Sequence, residues 1–267
     1  MKKMTLDEIK KVELGILKNL VAYLEENNLR YIIDYGTLLG AIRHGGFIPW
    51  DDDIDISMPR PDYERLLQLV KERPIDGVKM NHARDGENGV NPYAKAVDEK
   101  TIVQYSWRYE KYNTPVWVDI FPVDGFKDEN DLQERIKKMK EWDYYREKAC
   151  YKYPIKKSGI GGMIRKLIKW VYVNIIGPKR YIDKIEKCAQ EVPYNNSEKG
   201  YIYVPPYSKG EILDKTYLED TIFMKFEDLD VRVPREFDRR LTEAYGDYMK
   251  LPPEEQRKPH EIEAFWI

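Results

Sequence analysis

The sequence is poor in the residues that build cysteine-rich metal centres or disulfide frameworks. Its 267 residues include two cysteines, Cys150 and Cys188, and three histidines. Because the two cysteines lie far apart in the chain, we expect neither a zinc site nor a disulfide framework. A reducing compartment follows from this cysteine usage, and we therefore expect a cytoplasmic protein.

The sequence also lacks an excess of charge of one sign and any long uninterrupted apolar run. Lys and Arg number 45 and Asp and Glu 47, for a net charge of −2 and a pI near 6.1, which argues against a general nucleic-acid binder. No run reaches the length needed to span a bilayer. The basic N-terminal residues are followed by apolar residues at helical spacing, so this segment predicts an amphipathic helix rather than a signal peptide.

What the sequence does contain is a dense group of acids among apolar residues. Four aspartates fall within five positions, at Asp51, Asp52, Asp53 and Asp55. Like charges this close repel and raise one another's pKa unless a cation lies among them. Since carboxylate oxygens suit hard divalent cations, the group indicates a site for Mg²⁺ or Mn²⁺.

Hydrophobic periodicity predicts an α+β protein, long enough for one large domain or for a core with an appendage. Thr5 and Glu8 form a capping-box pattern before a helix that runs to about Asn28. Strands are predicted over 29–35, 53–58, 77–80, 93–97, 101–105 and 116–121, and helices over 38–44, 61–72, 128–151, 159–176, 179–191 and 234–245. Residues 192–215 are rich in Tyr, Pro and Gly and predict irregular structure. We place a domain boundary where strands give way to helices, so that residues 1–125 form the core and 126–267 a helical and irregular part packed on it.

Asp53 and Asp55 are the strongest candidates for metal ligands. Residues at i and i+2 of a strand point to the same side, so both carboxylates can hold the same cation. The alternative is an acidic turn capped by backbone donors; the spacing of an EF-hand calcium loop is absent. The directions of Asp51 and Asp52, which precede the strand, stay open.

A Gly-Thr turn just upstream indicates a phosphate site. Gly36 and Thr37 lie between a predicted strand and a helix, where backbone N–H groups bind phosphate and glycine permits close approach. The alternative is an ordinary turn with a Thr cap. Arg43 and His44, at the end of the same helix, are further candidates for phosphate contacts, although a surface Arg paired with an acid explains Arg43 nearly as well.

A third acid lies on an apolar strand. A lone carboxylate there is costly unless it is paired or metal-bound, so Asp119 is expected to complete the metal site and to accept the proton of an attacking hydroxyl. Asp124 competes for this role, and a hydrogen-bonded Asp at a strand end is the alternative. Lys95, on another apolar strand, and His260 are weaker candidates for substrate contacts, and a structural role suits the histidine as well.

The segment 160–176 is apolar on most faces and carries Arg165, Lys166 and Lys169. It predicts either a peripheral contact with an anionic membrane surface, at the inner face of the membrane, or a buried helix.

The motifs GTLLGAIRHGGFIPWDDDID, WVDIFPVD and YGDYMKLPPEEQR resemble those of the LicD family, the bacterial phosphocholine transferases, and this resemblance covers almost the whole chain. It implies a nucleotidyltransferase-like core with a small mixed sheet flanked by helices, and a mostly helical C-terminal part. It also implies transfer of a phospho-alcohol, most often from CDP-choline, to a sugar hydroxyl of a glycan or lipid-linked glycan, with release of CMP. By this resemblance Asp53 and Asp55 match the paired metal ligands, Asp119 the third acid, and Gly36 and Thr37 the phosphate-binding turn.

Other activities stay open at this point. A nucleotidyltransferase that releases pyrophosphate would share the Gly-Thr turn and the acid pair, and the transferred alcohol could be ribitol or glycerol phosphate. A glycosyltransferase with a D-x-D motif is disfavoured by the Gly-Thr helix that precedes the acids. Choline would need an aromatic cage, for which Tyr93, Tyr105, Trp107 and Trp117 lie near the motifs in sequence.

Overall fold

The computed structural model describes residues 1–85, 89–152, 160–205, 211–259 and 262–267, and of residues 85 and 160–166 it describes the backbone alone. In this part of the chain the helices are α1 (Leu6–Glu26), α2 (Tyr35–His44), α3 (Arg60–Glu72), α4 (Glu129–Ala149), α5 (Ile160–Ile176), α6 (Lys179–Ala189), α7 (Thr216–Glu219) and α8 (Phe237–Tyr245). The strands are β1 (Lys2–Lys3), β2 (Ile32–Ile33), β3 (Asp55–Pro59), β4 (Lys79–Asn81), β5 (Ala94–Val97), β6 (Thr101–Gln104), β7 (Trp117–Gly125), β8 (Lys199–Ile202), β9 (Glu211–Asp214), β10 (Thr221–Phe226), β11 (Leu229–Pro234) and β12 (Glu263–Trp266).

The first helix shows how local sequence produces these elements. The Glu8 N–H donates to the Thr5 hydroxyl at 3.2 Å, and the Thr5 N–H donates to the Glu8 carboxylate at 2.9 Å, so the predicted capping box is confirmed. Apolar residues then recur at helical spacing and form the buried face of α1, including Ile9, Ile16, Leu17, Leu20 and Leu24. This face joins the main hydrophobic core together with strands of the central sheet.

The central element is a curled mixed sheet of seven strands. Its order is β2-β3-β7-β5-β4, and β8 pairs with β7 while β9 pairs with β8. The pairing of β3 with β7 is parallel, and the other pairings in this sheet are antiparallel. Helices flank the sheet, so the expected α+β architecture with a small mixed sheet is confirmed.

The part of the chain after Gly125 contains more strand than its sequence pattern indicated. Strands β8 and β9 lie in 192–215, where irregular structure was expected, and they extend the central sheet. β12 pairs with β6 and with β1, which brings the C-terminal end back to the N-terminal half. The domain boundary after residue 125 stays a prediction, although backbone pairing crosses it between Asp124 and Tyr201.

A charged network joins the helical segment to the core. Glu186 of α6 makes a 3.1 Å hydrogen bond with His82 and accepts another from Arg84 at 2.9 Å. Arg84 also contacts Glu64 of α3. Because burial alone would raise the pKa of Glu186, the hydrogen bonds from His82 and Arg84 must outweigh it, and they lower that pKa to about 2.

None of the described helices has the length and apolar composition needed to cross a membrane.

Candidate active site

Two carboxylates meet where the parallel strands lie side by side. Asp55 of β3 and Asp119 of β7 are direct register partners, and the Asp119 N–H donates to the Ile54 carbonyl at 2.9 Å. Both side chains are buried among apolar neighbours. They line one cavity of about 890 Å³, together with Gly36, Asp51 and Asp53. The structure thus brings together the three acids singled out in the sequence, although Asp53 precedes the strand rather than beginning it.

Burial and mutual repulsion both act on the acids of this cavity. Burial raises the pKa of Asp55 well above its usual range, and the nearby carboxylates of Asp53 and Asp119 raise it further. Burial also raises the pKa of Asp119, while Lys95 acts in the opposite direction. A cation bound among these groups would relieve both effects.

Lys95 is part of this site through Asp119. Its ammonium lies 2.7 Å from one Asp119 carboxylate oxygen, and the Trp117 indole N–H donates to the other at 2.9 Å. The ammonium also lies 3.8 Å from the centre of the Trp117 ring. Burial lowers the pKa of Lys95, and the contact with Asp119 raises it. These contacts fix the orientation of the Asp119 carboxylate.

The N-terminus of α2 faces the same cavity. Asp34 caps the helix by accepting a hydrogen bond from the Tyr35 N–H, and Tyr35 itself adopts a left-handed φ of 50°. A Cβ at Gly36 would lie 2.6 Å from an Asp51 carboxylate oxygen, so glycine is what allows Asp51 to approach the turn. The Thr37 hydroxyl accepts a hydrogen bond from the Asp55 N–H at 2.8 Å, so this side chain holds the strand in place.

A buried arginine from the far end of the chain supports this turn. Arg240 of α8 donates to Asp34 from Nε at 3.1 Å and from Nη2 at 3.0 Å. Asp34 also accepts a 2.8 Å hydrogen bond from the Ser57 hydroxyl of β3. The sequence analysis did not identify the Asp34–Arg240 pair, because its two residues are 206 positions apart. The only sequence signal was an Asp two residues before the Gly-Thr turn.

Other residues predicted from the sequence lie elsewhere. Arg43 and His44 are at the opposite end of α2, about 10 Å along the helix from Gly36, where the positive charge of Arg43 suits the helix C-terminus. Arg43 donates there to the Tyr248 carbonyl at 2.8 Å, so the geometry gives no support to a phosphate contact. Asp124 forms a buried pair with Arg60, with a shortest contact of 2.6 Å, so Asp119 is the better candidate of the two for a metal ligand. His260 lies outside the described residues.

An aromatic surface forms another part of the cavity wall. The rings of Tyr35 and Phe121 meet edge-to-face with centroids 5.8 Å apart, and those of Tyr93 and Phe121 are 4.7 Å apart. The remaining lining residues are Ile202, Val204, Pro205, Glu211, Glu243, Ala244 and Tyr245. Of the four aromatic residues named from the sequence, Tyr93 lines this cavity; Tyr105, Trp107 and Trp117 are not among its lining residues.

The fit of a divalent cation rests on the charge and chemistry of these residues. In the described ranges, no three His, Cys, Asp or Glu side chains already stand in an arrangement that could hold a metal ion. The donors nevertheless match Mg²⁺ in kind, since Asp53, Asp55 and Asp119 offer only carboxylate oxygens. Burial and the carboxylates of Asp53 and Asp119 raise the pKa of Asp55, and a bound cation would offset both effects.

The site lies within a region of known family resemblance. Residues 28–164 match the family described as LicD/FKTN/FKRP, nucleotidyltransferase domain. The chain is 31% identical over 273 residues to the lipopolysaccharide cholinephosphotransferase LicD of Haemophilus influenzae, with 100% of both chains covered. It is also 44% identical over 103 residues to the ribitol 5-phosphate transferase FKRP of Mus musculus, which covers 38% of this chain and 18% of that protein.

Proposed function

Because this chain belongs to the LicD family and is a phosphotransferase, we propose that it transfers phosphocholine from CDP-choline to a sugar hydroxyl of a cell-surface glycan and releases CMP. The acceptor would be a glycan or lipid-linked glycan of the teichoic acid, lipopolysaccharide or capsule kind, met in the cytoplasm. The observation that carries the proposal is the pairing of Asp55 with Asp119 in a cavity that also contains the N-terminus of α2.

The acids would hold Mg²⁺ or Mn²⁺. Asp53, Asp55 and Asp119 are the proposed ligands, because they line one cavity and the carboxylates of Asp53 and Asp119 raise the pKa of Asp55. When bound, the cation supplies charge neutralisation at the diphosphate and the departing CMP. A melting experiment tests this part alone: Mg²⁺ should raise the melting temperature of the wild-type protein but not that of Asp53→Asn or Asp55→Asn. An equal rise in all three proteins would contradict the assignment.

The protein's own groups would position the donor and the acceptor. The first N–H groups of a helix have no partner within the helix, so those at Gly36 and Thr37 are suited to phosphate oxygens. The Asp119 carboxylate, oriented by Lys95 and Trp117, would accept the proton of the attacking hydroxyl. Burial raises the pKa of Asp119, which makes its ionised carboxylate a stronger base toward the hydroxyl proton.

The aromatic wall of the cavity, formed by Tyr35, Tyr93 and Phe121, favours choline as the transferred alcohol. Tyr35, Tyr93 and Phe121 present adjacent ring surfaces beside the acids. Glu211 and Glu243, which pair with Arg240 and Arg239, lie in the same cavity. A desolvated quaternary ammonium against such rings gains about 2 kcal/mol, which corresponds to a preference of about tenfold or more. Replacing Phe121 with Leu keeps an apolar side chain of similar size but removes the ring. We expect Phe121→Leu to raise KM for CDP-choline about tenfold and to leave KM for CDP-ribitol unchanged.

Ribitol phosphate is the second candidate for the transferred group. It is favoured by the 44% identity to the ribitol 5-phosphate transferase FKRP. Glu211 and Glu243 could accept hydrogen bonds from polyol hydroxyls in the same cavity. This reading leaves the aromatic rings without a partner, so we rank it below choline.

CMP release with a panel of donors decides between these candidates. The protein is incubated with Mg²⁺, a glycan acceptor and CDP-choline, CDP-ethanolamine, CDP-ribitol or CDP-glycerol at equal concentration. We expect CDP-choline to give the fastest release and ethylenediaminetetraacetate to stop it. Turnover of CDP-ribitol or CDP-glycerol without turnover of CDP-choline would contradict the choline assignment and leave phospho-alcohol transfer in place.

A further inference from the structure

Helix α5 carries a broad apolar face that the rest of the described chain leaves open. Five of its apolar side chains are exposed: Leu167 (45%), Ile168 (64%), Val171 (42%), Tyr172 (62%) and Ile175 (80%). At 100° per residue these positions fall within an arc of about 140°, so they form one continuous stripe. An exposed stripe of this size on a helix indicates an interaction surface.

The opposite side of α5 is anchored to the protein. Val173 is buried in a small cluster with Ala149 and Tyr181. The Trp170 indole N–H donates to the Tyr151 carbonyl at 3.0 Å. The exposed stripe is therefore not the face by which the helix packs on α4 and α6, and it is free for a partner.

The sequence around α5 is strongly basic. Residues 148–182 contain no Asp or Glu and nine Lys or Arg, in a chain whose net charge is −2. The nine cations are Lys148, Lys152, Lys156, Lys157, Arg165, Lys166, Lys169, Lys179 and Arg180. The Lys169 ammonium lies over the Tyr144 and Tyr145 rings, at 5.2 and 4.6 Å from their centroids, beside the apolar stripe.

The combination of an apolar stripe and nearby cations on α5 allows three kinds of partner to be compared. A nucleic acid would use the cations and leave the apolar stripe in water. A second copy of the chain would bring the two basic segments together and so repel. An anionic lipid surface accepts both, because the stripe enters the boundary of the acyl chains while lysine and arginine contact the headgroups.

We propose that α5 docks this protein on an anionic membrane surface, with its axis in the plane of the interface. The exposed side chains Ile168, Tyr172 and Ile175 would enter the lipid, and the basic residues around the helix would contact the phosphate groups. This inference does not depend on the identity of the transferred alcohol.

Vesicle sedimentation with the full chain tests the proposal. Vesicles of phosphatidylglycerol mixed with phosphatidylcholine are compared with vesicles of phosphatidylcholine alone. The test variant is Ile168→Asn with Ile175→Asn. The matched control is Phe223→Asn with Met249→Asn, which replaces two other exposed apolar residues, 53% and 57%, far along the chain. Both double variants should keep the wild-type melting temperature, since the replaced side chains lie on the surface.

We expect the wild type and the control to bind the anionic vesicles, and the test variant to bind at least about tenfold more weakly. Binding should also fall in about 1 M salt, where the Debye length is about 3 Å. Absence of wild-type binding, or equal binding by the test variant, would overturn the proposal. So would a dimer in light scattering that the same two substitutions dissociate, because the stripe would then be a contact between copies.

Discussion

Asp55 and Asp119 are direct partners across the parallel strands β3 and β7, so their carboxyl groups leave the sheet on the same face. Side chains alternate between the two faces along β7, so Phe121 lies on the same face as Asp119. Asp124 lies on the opposite face, where it pairs with Arg60. A single register therefore sets the acids beside the aromatic wall. The predictions below test the parts of this arrangement separately.

The two acids of β7 should respond differently to substitution. Asp119→Asn should abolish turnover, because Asp119 is the proposed ligand and proton acceptor. Asp124→Asn should cost about 3–5 kcal/mol of unfolding free energy, because it leaves Arg60 buried and charged, yet kcat below the melting temperature should change little. Chemical denaturation and initial rates measure both quantities. The assignment is wrong if Asp124→Asn loses kcat while Asp119→Asn keeps it.

A methyl group added at Gly36 should leave the fold intact but weaken donor binding at the site. In Gly36→Ala the new Cβ would meet the Asp51 carboxylate at 2.6 Å and displace it, so we expect KM for the donor to rise about tenfold or more with little change in melting temperature. Gly15→Ala is the matched control, because nothing lies within 4 Å of its added Cβ and alanine favours the interior of α1. That control should gain about 0.5–1 kcal/mol of stability and keep its KM. Unchanged kinetics in Gly36→Ala would argue against a close approach of substrate to this turn.

Arg240 should act as a positioning residue for the α2 N-terminus. Arg240→Met leaves Asp34 buried without its main partner, so we expect a loss of about 3–5 kcal/mol in unfolding free energy. The exposed pair of Arg235 with Asp220 provides the comparison, and Arg235→Met should cost less than about 1 kcal/mol. Arg240→Lys keeps the charge but loses the paired hydrogen bonds, and it should raise KM more than it lowers kcat. Equal stability losses for the two methionine variants would refute this role.

Glu186 should make stability depend on acid pH. Its pKa is about 2 in the folded protein and near 4.5 when unfolded, so the stabilisation is complete above the unfolded value and is lost as pH falls toward 2. The shift corresponds to about 3 kcal/mol at neutral pH. The difference in unfolding free energy between the wild type and Glu186→Gln should therefore shrink by about 2 kcal/mol between about pH 7 and pH 3. Glu141→Gln, at an exposed position of α4, should show no such trend, and a constant difference for Glu186→Gln would contradict the role of this network.

Local patterns were sufficient to predict the centre of the site. The i, i+2 spacing at Asp53 and Asp55 and the lone acid at Asp119 are each signals within one short segment, although Asp53 precedes β3. The turn at Gly36 and the capping box of α1 are equally local, and the structure contains both.

What the sequence could not indicate depends on contacts between distant segments. The pairing of Lys95 with Asp119 follows from the register of β5 on β7, and the Arg240–Asp34 pair requires α8 to return to the first strands. Strands β8 and β9 are four residues each, and their stability comes from pairing with β7 rather than from their own alternation. Arg43 and His44 lie at the end of α2, as the sequence indicated, and their role as phosphate contacts stays a prediction because helical rise separates them from Gly36.

Phosphorus NMR of the reaction products tests the central claim most directly. Wild-type protein and Asp55→Asn are each incubated with CDP-choline, Mg²⁺ and a glycan acceptor, and the phosphorus signals are followed with time. We predict that the wild type converts the diphosphate into CMP and a phosphodiester on the glycan, and that Asp55→Asn, although folded, loses at least about 100-fold in rate. Release of free phosphocholine with a cytidylyl group left on the glycan, or equal rates for the two proteins, would contradict phospho-alcohol transfer at the Asp55–Asp119 pair.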